Sequence, residues 1–427
     1  MRIVLIGSGG REHALAVKIT ESKNCSKLFI LPGNPGTKQV GENIPISQDN
    51  HKEIISFCLE QNIDLAVIGP EKPLIDGLTD KLTENGVKVF GPSLLAARIE
   101  GEKSFAKNLM KENNIPTAAF EIFNKENYED AVSYLSRIDY PIVIKADGIA
   151  AGKGVIIAES FEDAKEAIKE CFINSSFGTA GDKIVIEKFI TGQEASIFAI
   201  TDGYEFVLLP SAQDHKRIFD GDKGKNTGGM GAYAPAPVVT SSDLVKIEDE
   251  IIRPTLTALR NNRSPFIGCL YCGLMLTLEG PQVVEFNCRF GDPETQVVLP
   301  LLDGDFVDLL YSAANKKINR ESVQYNGGAS VCVVAASMGY PDKYETGFEI
   351  HGLDQILSET KIYHAGTKEV DGKVVTNGGR VLGITSFTEK NDLSNAKKIA
   401  YESISKINFE GMYYRNDISD KAFLPNN

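Results

Sequence analysis

The stretch Val283–Gln296, VVEFNCRFGDPETQ, gathers residue types that could bind and transfer charged groups. Side chains along a strand alternate between its two faces. Val284, Phe286 and Cys288 would therefore point one way and Glu285, Asn287 and Arg289 the other. A carboxylate, an amide oxygen and a guanidinium then stand in one row, followed by Gly291, Asp292, Pro293 and Glu294. Oxygen ligands for a hard cation beside a fixed positive charge suit a metal–phosphate site. The same pattern alone also fits an amphipathic strand with a solvated polar face. The rest of the chain has to decide.

Other segments carry related chemistry. Gly7-Ser8-Gly9-Gly10 lies between an apolar strand and a helical pattern, as a dinucleotide fingerprint does, but the third glycine would fall on Glu12. Leu31 and Pro32 end the second strand, where that fingerprint needs an acid. What survives is a helix N-terminus, whose free N–H groups bind anions. Arg11 and His13 add charge to that turn. Pro32–Gly36 and Gly69–Glu71 follow two further strand ends, and in an open parallel sheet such loops gather at the carboxyl edge. Lys145-Ala146-Asp147-Gly148 and Ala151–Val155 form a glycine loop with lysine countercharge, suited to phosphates. It lacks both the P-loop spacing and the kinase elements. Asp214-His215-Lys216-Arg217 precedes a loop with five glycines between Gly221 and Gly231.

These groups need elements to position them. Short strands (Arg2–Gly7, Lys27–Leu31, Asp64–Ile68, Val87–Phe90) alternate with helical patterns (Glu12–Thr20, Lys52–Gln61, Leu74–Glu84), giving a βαβ rhythm and a parallel sheet. Ser160 with Asp163 caps a helix over Ala164–Cys171, between strands Val155–Ala158 and Lys183–Phe189. Asp202–Gly203 and Glu279–Gly280 mark hairpins. Linkers are expected near Ser93–Gly101 and Asn319–Gly327. The 427 residues suit about three domains. A net charge of −13 argues against nucleic acid or an anionic membrane as partner. No apolar run approaches a membrane span, and the first residues read as a strand and not a signal peptide. Seven irregularly spaced cysteines point to free thiols in the cytoplasm. Cys269 and Cys272, three apart in an apolar strand, would face opposite sides and form neither a zinc nor a redox pair.

Taken together, IGSGGREHA, PGNPGT, GPE, KADGIAAGKGV, SAQDHKR, NTGGMGAY and EFNCRFGDPETQ resemble the glycinamide ribonucleotide synthetase family of the ATP-grasp superfamily, in the family's order and over essentially the whole chain. The resemblance implies a multi-domain α/β fold. It would comprise a parallel-sheet pre-ATP-grasp domain (1–100), a two-lobed ATP-grasp domain (101–318, nucleotide lobe about 120–190) and a small α/β domain (328–427). It implies ATP-dependent joining of glycine to 5-phosphoribosylamine through glycyl phosphate, yielding glycinamide ribonucleotide, ADP and phosphate. The alternative is another ATP-grasp carboxylate–amine ligase with a different acceptor.

By the same resemblance Lys103, Lys145, Gly152, Lys153 and Gly154 would contact the nucleotide phosphates. Glu187, Lys188 and Phe189 would read adenine, and Glu194 would hold the ribose. Glu285 and Asn287 would ligate Mg²⁺ or Mn²⁺, Arg289 would stabilise the transferring phosphate, and Asp292 would orient an amine. The ribosylamine would lie against Gly9, Gly10, Arg11, Glu12, His13, Asn34, Gly36 and Glu71. Asp214, His215, Lys216, Asn226, Gly229 and Met230 would sit near its sugar. A monofunctional, monomeric enzyme is expected.

Overall fold

In the computed structural model, which describes residues 1–148, 154–174 and 178–423, strand Arg2–Gly7 lies at the centre of a five-stranded parallel sheet. Lys27–Pro32 and Glu42–Asn43 extend it on one side, Leu65–Ile68 and Val89–Phe90 on the other. Its strands are continuous apolar runs because both faces are covered. Ile3 and Leu5 pack with Leu15, Tyr271 and Phe306, whereas Val4 and Ile6 pack with Leu74, Leu109 and Phe286. Gly7, Pro32 and Ile68 end in near register, so the three loops beyond them share one edge.

The helix expected over Leu74–Glu84 is two helices, Glu71–Ile75 and Leu78–Glu84. Gly77 at φ +78° makes the break, a conformation most side chains resist. Ser93–Gly101, expected as a linker, is mostly the helix Leu94–Gly101, with the Ser93 hydroxyl accepting from the Ala96 N–H. Asn319–Gly327 likewise contains a strand, Val323–Tyr325, paired with Leu302–Gly304.

A four-stranded antiparallel sheet follows, ordered Phe120–Asn124, Lys183–Lys188, Ile142–Ala146, Val155–Ala158. Helices Tyr128–Leu135 and Phe161–Phe172 cover it, the second capped by Ser160 as expected. This lobe has a core of its own, built on Leu135, Ile144, Ile168, Phe172 and Ile186.

The opposing sheet runs Phe206–Leu208, Gln193–Thr201, Gly268–Thr277, Gly280–Asn287. Both expected hairpins are present. Cys269 and Cys272 enter different apolar clusters, on opposite faces. One detail differs from simple alternation. Gly273 pairs with Glu285 but Leu274 pairs with Val283, so Val284 is an extra, bulged residue. Val283, not Val284, joins Phe286 and Cys288 in the core, while Glu285, Asn287 and Arg289 keep the polar side.

The last sheet is not made by the tail alone. Strands Ala329–Ser337, Arg380–Thr388 and Thr360–His364 are extended by Gly231–Ala234 and Gln213–Asp214, far earlier in the chain. Among the described residues no helix is long and apolar enough to cross a membrane.

Candidate active site

Three lysines and one glutamate form a cluster between the first four-stranded antiparallel sheet and the helix before it. Lys145 comes from strand Ile142–Ala146, Glu187 from its neighbour Lys183–Lys188, and Lys103 and Lys107 from helix Lys103–Glu112. Lys107 and Lys145 each stand 2.9 Å from a different oxygen of Glu187, all three side chains being almost wholly buried. Lys107 also donates to Thr117 Oγ1 and Lys145 to the Val284 carbonyl, at 2.7 and 2.9 Å. The bulged residue thus supplies the acceptor that steadies Lys145. Burial pushes the Glu187 carboxyl up, but Lys145 and Lys107 together hold it below its ordinary value. Burial pushes Lys107 down to about 8, against the pull of Glu187. One carboxylate shared by two ammoniums leaves one of them short of countercharge. Lys103 donates to the Gly148 carbonyl at 2.8 Å, and burial lowers its pKa despite the nearby Glu285. Gly154 ends the glycine loop next to strand Val155–Ala158; Gly152 and Lys153 lie outside the described residues.

Glu285 and Asn287 face this cluster from strand Gly280–Asn287, both half-buried. Among the described residues neither side chain is taken up by a hydrogen bond or ion pair. No group of three or more His, Cys, Asp or Glu assembles a metal cage among the described residues. One carboxylate and one amide oxygen fit Mg²⁺, which takes few protein ligands and keeps water and phosphate oxygens.

Beside them Glu194, Ser196, Asp214, Lys216 and Tyr271 line a narrow cleft. Lys216 pairs with Glu194 at 2.8 Å, and Tyr271 donates to Glu294 at 3.0 Å. Burial, reinforced by Glu294 and Glu194, pushes Asp214 up to about 7 against Lys216. His215 alternates to the other side, where its Nε2 accepts from the Ser419 N–H at 3.0 Å. Met230 is fully buried, and Asn226 sits in a hairpin opposite Arg217. The segment 213–216, a strand over Gln213–Asp214 and its continuation, therefore brings Asp214 and Lys216 to the cleft and takes His215 away from it. Lys188 donates its N–H to the Ala119 carbonyl at 2.8 Å, and Phe189 is the first residue past the strand.

Strand Gly280–Asn287 then runs directly into the N-terminal loops. Arg289 donates to Glu71 at 3.2 Å and to Glu100 at 2.9 Å, which hold it firmly protonated against burial. Arg11 donates to Glu12 and, at 3.1 Å, to the Phe290 carbonyl. Asp292 accepts from Gln296 at 2.8 Å and from the Arg11 N–H at 3.4 Å. Burial pushes the Asp292 carboxyl up, but Arg380 and Arg11 keep it below its ordinary range. Arg380, from the last sheet, donates to the Gly228 and Asp292 carbonyls at 2.6 and 2.7 Å. It pins the glycine loop to the Asp292 turn.

The first helix N-terminus is thus already served by carboxylates. The Gly9 N–H donates to Glu12 at 2.7 Å and Asp292 lies over Arg11. A Cβ at Gly10 would come within 2.7 Å of Gln296 Nε2 and would displace that amide from its place beside Asp292. Charge on His13, expected from sequence, is corrected by the fold. Burial and then His364 drive His13 down to about 3, and its neutral Nδ1 accepts from the His364 N–H. Asn34 is spent on the loop itself, donating to the Ser8 and His364 carbonyls and accepting from Gly36 and Thr37. Gly36 packs on the His13 ring.

Lys107, Glu100, Gln296 and Arg380 were not legible as site residues. Lys107 stands four residues after Lys103, on the same helix face, where a lysine ordinarily meets solvent. Glu100 lay in the expected linker, and only the glycine pair before Arg380 hinted at a close approach.

Two antiparallel sheets closing on a lysine cluster, with a carboxylate–amide pair opposite, define an ATP-grasp enzyme. Residues 1–100, 101–295 and 330–421 match the N domain, the ATP-grasp (A) domain and the C domain of phosphoribosylglycinamide synthetase. The chain belongs to that family. It is 48% identical over 425 residues to phosphoribosylamine–glycine ligase of Leptospira interrogans, covering 99% of both chains. With the ligase of Clostridium acetobutylicum it shares 46% over 423 residues, 98% of this chain and 99% of the other. A crystal structure of phosphoribosylamine–glycine ligase from Thermotoga maritima superimposes with a TM-score of 0.85 at 37% identity, covering 98% of this chain and all of that one. A biotin carboxylase domain from Hydrogenobacter thermophilus shares the fold at 16% identity, with a TM-score of 0.72 over 97% of this chain and 91% of that one.

Proposed function

We propose that this site ligates glycine to 5-phosphoribosylamine at the expense of ATP, giving glycinamide ribonucleotide, ADP and phosphate for purine synthesis. The observation that carries the reading is one continuous segment. Strand Gly280–Asn287 sets Glu285 and Asn287 opposite the lysines, and its extension sets Arg289 and Asp292 against the N-terminal loops. Nucleotide and acceptor would meet along that segment.

Lys103 and Lys145 would hold the polyphosphate, with Glu194 at the ribose and the segment Glu187–Phe189 at the base. Mg²⁺, for which Mn²⁺ can stand in, would be held by Glu285 and Asn287 and would neutralise charge on the phosphates. A glycine carboxylate oxygen attacks the γ-phosphorus, the bond to the β,γ-bridging oxygen breaks, and ADP and glycyl phosphate form. The ribosylamine nitrogen then attacks the glycyl carbonyl, the carbonyl–phosphate bond breaks, and the amine loses a proton. Positioning and charge neutralisation supply most of the acceleration in such transfers. Arg289 would steady the transferring phosphate with the N–H groups that Glu71, Glu100 and Phe290 leave free. Asp292, ionised and beside Gly9–Arg11, would accept an N–H of the amine. Asn34, Gly36 and the Asn226–Met230 loop would shape the sugar's surroundings. Seven cysteines without disulfides support a reducing compartment, the cytoplasm, and we read the enzyme as a monomer.

The test is ADP release from ATP and Mg²⁺ with glycine, with and without phosphoribosylamine generated in situ. Release that requires both co-substrates supports the reading. Release with a different acid or amine, and not with these, overturns it.

A further inference from the structure

A second charged cluster lies behind the nucleotide cleft, and the proposed chemistry leaves it unused. Its centre is Arg415, the largest wholly buried side chain among the described residues. Arg415 grips Asp417 through two N–H groups, at 2.7 and 2.6 Å. Its Nη1 donates to the Arg217 carbonyl and to Asp222, both at 2.9 Å. Lys421 pairs with the other oxygen of Asp222 at 2.8 Å.

Apart from the Arg415–Asp417 pair, these contacts join two segments nearly two hundred residues apart. Asp417 accepts from the Gly221 N–H at 2.8 Å, and Asp220 accepts from the Asn416 N–H at 2.9 Å. The Tyr413 hydroxyl donates to the Ile218 carbonyl, and the Ser419 N–H donates to His215. The segment Tyr413–Lys421 therefore clamps residues 215–222, the first strand and turn of the hairpin Arg217–Phe219 and Lys223–Asn226.

That hairpin begins at the residue after Lys216, whose ammonium reaches Glu194 in the cleft. The Lys216 carbonyl is itself held by the N–H and hydroxyl of Thr227 at the hairpin's far end. Fixing the Arg217 carbonyl and the 220–222 turn thus fixes where Lys216 leaves the backbone. A buried guanidinium with bidentate geometry suits this task, because its planar fork permits one arrangement. Lysine could restore the charge but not the fork.

We propose that Arg415 is a positioning residue for the nucleotide site. It holds the 215–226 hairpin from behind so that Lys216 and Glu194 present one fixed edge to the ribose. The inference rests on the nucleotide lying at Glu194, so its test reads nucleotide binding apart from turnover.

The experiment compares full-length wild type with Arg415→Met, Arg415→Lys and Asp222→Asn. ADP affinity is measured by calorimetry in Mg²⁺, alongside the KM of each substrate, kcat and Tm. Asp222→Asn removes one of Arg415's partners and leaves its grip on Asp417, so it serves where Arg415→Met does not fold. The expected result is ADP binding and ATP KM weakened at least about tenfold in Arg415→Met. The ribosylamine KM should rise clearly less than the ATP KM, since only Asn226 at the hairpin's end would border the sugar. Arg415→Lys should recover part of the loss, and Asp222→Asn should show a smaller loss of the same kind. Folded variants that bind ADP as wild type does, or that lose all three substrates alike, overturn the proposal. Wild type that binds ADP but makes no glycinamide ribonucleotide would instead sink the functional reading, with the ADP measurement still deciding on Arg415.

Discussion

The two sides of the cleft are charged in opposite senses. Around the expected polyphosphate, Lys103, Lys107 and Lys145 outnumber Glu187 and Glu285. Around the expected amine, Arg11, Arg289 and Arg380 are outnumbered by Glu12, Glu71, Glu100 and Asp292. The first side carries uncompensated ammonium that a polyphosphate would satisfy. The second already neutralises its guanidiniums and leaves the Asp292 carboxylate as the acceptor that the proposed reading would turn toward a nitrogen nucleophile. Their burial differs as well. Glu187 is enclosed by two lysines, whereas Glu71 is about one-third open to water. The lysine cluster joins the sheet of one lobe to helix Lys103–Glu112, which packs in another core, and the opposite side is assembled where three parts of the chain meet.

Removing the shared carboxylate should break the first side outright. Glu187→Ala leaves two buried ammoniums facing each other and is expected to cost about 3–5 kcal/mol of stability. Glu71→Ala, on the more open side, should cost no more than about 1 kcal/mol. Chemical denaturation of both variants measures the contrast, and equal losses would erase it.

Glu285→Ala should lower turnover by about 10²–10³-fold, the scale of losing one charge-stabilising group. Only a polar strand face changes, so Tm should move by no more than about 2 °C. Retained turnover in the folded variant would remove Glu285 from the metal site.

A smaller effect separates the substrates. Arg11→Ala should raise the ribosylamine KM by about 10–100-fold, as expected for hydrogen bonds to a charged group. The ATP KM should be little changed, and the reverse pattern would move the acceptor elsewhere.

The smallest effect is a pH slope. Native His13 stays unprotonated down to about 3, whereas an unfolded histidine takes up its proton below about 6.5. The unfolded state binds more protons between those values, so stability falls as pH drops through that window. His13→Asn should remove about 1.4 kcal/mol per pH unit from that acid slope. An unchanged slope in denaturation at pH 6 and pH 5 would mean that His13 is charged in the fold.

Elements governed by local chemistry were legible in the sequence. The apolar strands of the first sheet, the Ser160 cap and the glycine at each hairpin all act on near neighbours. The family was legible through the order of its motifs along the chain. Pairings across long separations were not. Nothing near Val284 announces a bulge, since it arises from register against Gly273. Arg380 meets Asp292 only because strands from residues 213–234 join the last sheet. The charge on Arg11 and His13 looked alike in one helical turn. Burial separated them, giving one a carboxylate and the other a backbone N–H.

The most direct test of the division is a crossed kinetic measurement on Lys107→Met and Asp292→Asn, with KM determined for ATP and for phosphoribosylamine in each. Loss of Lys107 should raise the KM for ATP and leave that for phosphoribosylamine near wild type, and Asp292→Asn should do the opposite. Parallel changes in both constants in both variants would mean that the two sides act as one site, contrary to the account.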